Sequence, residues 1–110
     1  MTIKEIKEVH KLLALFPREI SVTIEKYEDG FLANIKTFED CFTEASSFSE
    51  LIEMVNDAVR THLEIPEKYL SLMPTYRPLI SAATKLGVYP ASDRKSELKL
   101  EIYDGAGTSH

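Results

Sequence analysis

The residues of this chain that could do chemistry are one cysteine, three histidines and a set of dispersed carboxylates. A nucleophilic thiol needs a base or cation beside it to hold the thiolate. Cys41 instead has Asp40 as its neighbour, which would raise its pKa, so it reads as a small buried residue at a strand start. His10, His62 and His110 are too dispersed for a ligand spacing such as His-x-x-x-His, and no metal site is expected. Glu25, Glu28, Asp29, Glu39, Asp40 and Glu44 invite a search for the paired metal-binding carboxylates of a nuclease. Glu28 and Asp29 belong to a turn and Glu25 points to solvent, so a solvated acidic face is the simpler reading. There is no Gly-rich phosphate loop, Gly-x-Ser-x-Gly elbow or His-Glu-x-x-His motif. The expectation is a chain that is not an enzyme, with no catalytic residue and no cofactor.

Composition narrows the remaining classes. At 110 residues the chain suits one compact core, with 44% apolar and 28% charged residues, an ordinary globular balance. The net charge of −5 disfavours non-specific binding of a phosphate backbone and suits a basic partner. A lone cysteine excludes an intrachain disulfide, and no apolar run approaches the roughly 18 residues of a membrane span. A soluble protein of the cytoplasm is expected, with no membrane association.

Periodicity predicts the elements that position these groups. Ile3, Ile6, Val9, Leu13 and Phe16 recur at helical spacing over residues 2–16, and Pro17 ends that helix. Ile20, Val22 and Ile24 then alternate with Ser21, Thr23 and Glu25 as a strand. Asp29-Gly30 reads as a hairpin loop before a second strand, placing Glu28 opposite Phe31 and Ile24 opposite Ile35. A third strand is expected near Cys41 to Ala45, then a capping box at Ser47 and Glu50. Phe48, Leu51, Ile52, Val55, Ala58, Val59 and His62/Leu63 form the apolar stripe of the helix that follows, with Asn56 and Arg60 opposite and Pro66 at its end. Glu67 to Met73 suits one or two helical turns. Thr75 reads as the cap of a further helix burying Leu79, Ala82, Ala83 and Leu86 before Gly87. Pro90 to Ser96 reads as a loop, Leu98, Leu100 and Ile102 as a last strand, and residues 104–110 as a disordered tail.

The order strand, acidic-Gly turn, strand, cysteine-bearing strand and capped helix over about residues 20–63 resembles the HicB-like antitoxin family. Cys41, Thr43, Ser47 and Glu50 stand in register with its signature, and Asp29-Gly30-Phe31 matches its usual turn. Lys36 stands where that family has Pro, Asp40 and Ala45 where it has Gly, and Leu51 where it has Ala. If those glycines serve positive φ, Asp40 tolerates the conformation moderately and Ala45 poorly. The resemblance implies an α+β fold over residues 1–110 as a single domain: a three- to four-stranded, mainly antiparallel sheet with helices packed on it, like a reduced RNase H sheet. The N-terminal helix is an addition to that plan.

The resemblance also implies a protein that binds and neutralises a small basic ribonuclease toxin, or an orphan derivative of one. Family members often carry a DNA-binding segment, but residues 75–103 show no ribbon-helix-helix or helix-turn-helix pattern. Tyr27 and Leu32 pair on the sheet face away from the main helix, flanked by Glu25, Asn34 and Lys36, and these five are the candidate partner-binding residues. Cover by the N-terminal helix is the competing explanation of that pair. Two further functions stay open: a stand-alone module forming a homodimer or higher homo-oligomer, and a degenerate metal-dependent nuclease using Glu25 and Asp29.

Overall fold

A computed structural model describes residues 1–78 and 95–103. Helix α1 (Ile3–Leu13) opens with the side chain of Thr2 accepting from the Glu5 amide at 3.1 Å, while the Glu5 carboxylate accepts from the Thr2 amide at 2.9 Å. This reciprocal cap satisfies donors that a helix start leaves free. Of the predicted apolar stripe, only Val9 and, beyond the helix end, Phe16 are buried. Ile3 is 75% exposed, and Ile6 and Leu13 also face solvent. Polar contacts tie α1 to the 3-10 helix Glu67–Leu72: the Tyr69 hydroxyl donates to the Glu8 carboxylate at 3.0 Å, and Lys68 lies 3.8 Å from Glu5.

Strands β1 (Glu19–Tyr27) and β2 (Gly30–Ile35) form the predicted hairpin in a different register. Tyr27 pairs with Gly30, Ile24 with Ala33 and Val22 with Ile35, so the loop is Glu28-Asp29 and Gly30 lies in the strand. A Cβ on Gly30 would stand 2.6 Å from the Ala45 carbonyl oxygen, so this glycine admits the close approach of β3 (Phe42–Ala45). Neither Glu28 nor Asp29 has positive φ, and the mirror-image turn expected of Asp-Gly is absent. The shift moves each partner by two positions, which preserves the predicted faces.

Asp40 has φ 51°, the conformation expected there, while Ala45 stays in ordinary strand geometry. Helix α2 (Phe48–His62) starts at Ser47, whose hydroxyl accepts from the Glu50 amide at 3.1 Å. The return bond reaches Ser46 instead of Ser47, with Glu50 accepting from the Ser46 amide at 3.0 Å and its hydroxyl at 2.9 Å. These bonds hold the Glu50 carboxyl below its usual pKa. The helix stops at His62, ahead of Pro66, and Glu64 turns the chain with φ 56°.

The stretch predicted to begin a third helix is strand β4 (Thr75–Pro78). Tyr76 is fully buried, its ring 6.4 Å from that of Phe16 and its hydroxyl donating to the Pro17 carbonyl. Strand β5 (Lys95–Tyr103) begins at Lys95, inside the segment read as a loop, and pairs with both β1 and β4. The expected Leu79–Leu86 face, most of the 90–96 loop and the 104–110 tail lie outside the described residues. The sheet is antiparallel and α+β as expected, but it has five strands in the order β3-β2-β1-β5-β4. Ile20, Val22, Ile24, Ala33, Ile35, Leu98 and Leu100 meet Leu51, Val55 and Val59 of α2 in one core.

Asn56, placed by periodicity on the polar side of α2, is 5% exposed. Its amide group accepts from the Tyr76 amide at 2.6 Å and donates to the Tyr76 carbonyl at 3.0 Å. Both backbone groups of a residue in an antiparallel strand point the same way, so Asn56 occupies a position along β4 that a further strand would take. Arg60 extends this cover, donating to the Pro74 carbonyl at 3.1 Å and the Thr75 hydroxyl at 3.2 Å.

Candidate protein-binding face

The face of the sheet opposite α2 carries alternate residues of every strand. The register aligns Glu44, Leu32, Glu25 and Lys95 in one row across β3, β2, β1 and β5. Phe42, Asn34, Thr23 and Glu97 form the next row. Tyr27 closes the hairpin end opposite Gly30 and Leu32 pairs with Glu25, so the two-residue shift in register leaves Tyr27 diagonal to Leu32 and not paired with it as expected. The five predicted residues are thus placed together: Glu25, Leu32, Asn34 and Lys36 line one groove of about 350 Å³, and Tyr27 lines an adjoining one of about 620 Å³. Leu32 borders both grooves.

Periodicity missed Phe42, the most exposed aromatic ring of this face at 57%, with Tyr27 at 50%. Tyr27, Leu32 and Phe42 make an apolar diagonal across β1, β2 and β3. The sequence carries no signal for it, because the four residues of β3 are too few to show a period and only the β2–β3 register sets Phe42 beside Asn34. Asp29, Glu44 and Glu50 line the larger groove on one side of the diagonal. Glu25 on the other side stands opposite Lys95. α1 bonds to the 3-10 helix, and no described element lies over the diagonal.

Cys41 is buried, its thiol 3.9 Å from the Ala58 carbonyl oxygen. Burial pushes its pKa up, a different cause from the Asp40 charge expected above. The ring of His62 lies 4.7 Å from that of Phe38. Among the described residues, no group of three His, Cys, Asp or Glu side chains stands where it could hold a metal ion. No described helix is long and apolar enough to cross a membrane.

These elements define an α+β protein with helices on one face of an antiparallel sheet and an apolar diagonal on the other. A UPF0150 protein of Archaeoglobus fulgidus is 35% identical over 48 residues, which are 43% of this chain and 70% of that protein. The chain belongs to the UPF0150 family through this stretch. No family model and no solved structure matches.

Proposed function

We propose that this chain is a binding protein without catalytic activity, which docks a small basic protein on the open sheet face in the manner of a HicB-like antitoxin. The observation that carries the reading is the Tyr27, Leu32 and Phe42 diagonal with carboxylates on both sides. Exposed aromatic and apolar side chains supply the anchor of a protein interface, and surrounding carboxylates steer and select a cationic partner. The net charge of −5 adds to the same field. A cytoplasmic ribonuclease toxin fits that description, and occlusion by shape and charge requires no catalysis from this chain.

The test is affinity purification from the source cell with wild type, Leu32→Lys and Phe42→Lys in parallel. A single short basic protein that co-purifies with wild type and is lost from both variants is expected. Equal capture by all three would move the interface elsewhere, and no basic partner at all would remove the antitoxin reading.

A second reading, a homo-oligomeric module, is favoured by Ile3, Ile6 and Leu13 exposed along α1. A nuclease reading ranks last. It would be revived by metal-dependent RNA cleavage that disappears in Glu25→Gln or Asp29→Asn.

A further inference from the structure

The two edges of the described sheet differ in their backbone chemistry. At β4, Asn56 takes both outward groups of Tyr76, Arg60 takes the Pro74 carbonyl, and Pro78 has no amide to offer. At β3, the Ile35 amide donates to the Cys41 carbonyl at 2.8 Å, which sets the alternation of the β2 ladder. Cys41, Thr43 and Ala45 therefore turn their backbone groups toward β2, and Phe42 and Glu44 turn theirs outward. The next outward amide, that of Ser46, is taken by Glu50 at 3.0 Å. The available edge is thus short and centred on Thr43.

We propose that β3 pairs with β3 of a second copy, antiparallel about a two-fold axis at Thr43, joining two sheets into one. Phe42 of each copy then lies opposite Glu44 of the other, and each such pair exchanges both backbone hydrogen bonds. Sliding the strands one way would oppose Glu44 to Glu44, a like-charge pair. Sliding them the other way would bring in Asp40, whose φ of 51° is not strand geometry. The Thr43 register is the one that uses both outward residues without either fault. It also extends the open face across the junction, with both Phe42 rings, each 57% exposed in the single chain, beside the seam. This deepens the homo-oligomer reading and does not depend on the basic partner.

Sedimentation equilibrium from roughly 1 to 500 µM should show a dimer with a midpoint in the micromolar range, as befits a small interface. Glu44→Pro removes one outward amide and leaves the β2 ladder intact, since Thr43 before it is already extended. It should weaken the dimer at least about tenfold while the far-ultraviolet spectrum is unchanged. Thr43→Cys supplies an independent readout if the proline variant fails to fold. Non-hydrogen-bonded partners have Cα atoms about 4.5 Å apart, within disulfide reach, so mild oxidation should give a covalent dimer. A strictly monomeric protein at the highest concentration, a dimer indifferent to Glu44→Pro, or a Thr43→Cys variant that stays uncrosslinked would each overturn the pairing. The basic partner could still bind in any of those cases.

Discussion

Replacing Asn56 with Ala tests whether a helix side chain stands in for a missing strand. The change deletes a group 5% exposed and leaves the Tyr76 amide and carbonyl without the partners they have at 2.6 and 3.0 Å. A buried backbone group left unsatisfied costs about 1–3 kcal/mol, and water can reach an edge strand after some rearrangement. We therefore expect a loss of about 3 kcal/mol, a large share of the 5–15 kcal/mol typical of a domain. At roughly 4 °C per kcal/mol for a chain of this size, the midpoint of thermal unfolding should fall by about 12 °C. Urea unfolding with an unchanged m-value is the assay, with Asp57→Ala, exposed on the same helix, as a control expected within about 0.5 kcal/mol. The Tyr76 amide should also lose its protection from hydrogen exchange ahead of β1 and β2. A loss below about 0.5 kcal/mol, with Tyr76 still protected, would refute the reasoning, because water would then replace the side chain without penalty.

Other residues give equally direct outcomes. Gly30→Ala should destabilise by about 2 kcal/mol in urea titration, because its Cβ would meet the Ala45 carbonyl oxygen at 2.6 Å and backbone cannot step aside. The Tyr76 hydroxyl, pushed up to about 12 by burial, is protonated in the folded chain at a pH where the unfolded chain has lost that proton. Stability should therefore be full below pH 10, the ordinary value, and fall as pH rises toward about 12, with this component missing in Tyr76→Phe. Cys41, buried and raised in pKa, should react with a thiol reagent far more slowly at neutral pH than in denaturant. Ile3→Ser should leave monomer stability within about 0.5 kcal/mol by thermal unfolding, since that side chain is already 75% exposed.

The parts of the fold visible to periodicity are those in which every apolar position is used. Ile20, Val22 and Ile24 alternate and are all buried, and so are Leu51, Val55 and Val59 at helical spacing. The hairpin register was less legible, because side-chain alternation repeats every two residues and registers two apart bury the same set. What separates them here is the meeting of Gly30 with the Ala45 carbonyl, a contact distant in sequence. β4 was hidden for another reason: Thr75 and Pro78 are also good residues for a helix start, and Tyr76 alone could not report an alternation. Asn56 escaped because a helical wheel counts it as polar surface, although its amide group can pair with a strand as a peptide does. At the candidate face, Glu25, Tyr27, Leu32, Asn34 and Lys36 were legible from the alternation of two strands. Phe42 required the third, whose four residues are too few to show a period.

The cover that Asn56 and Arg60 give to β4 bears on how far any assembly of this chain can grow. A sheet with two available edges has a valence of two, and copies adding at both ends propagate without limit, as in fibrils. Closing one edge of the described sheet with side chains from α2 reduces that valence to one, so the strand addition proposed at β3 would use up the open end of the described sheet and stop growth at a pair.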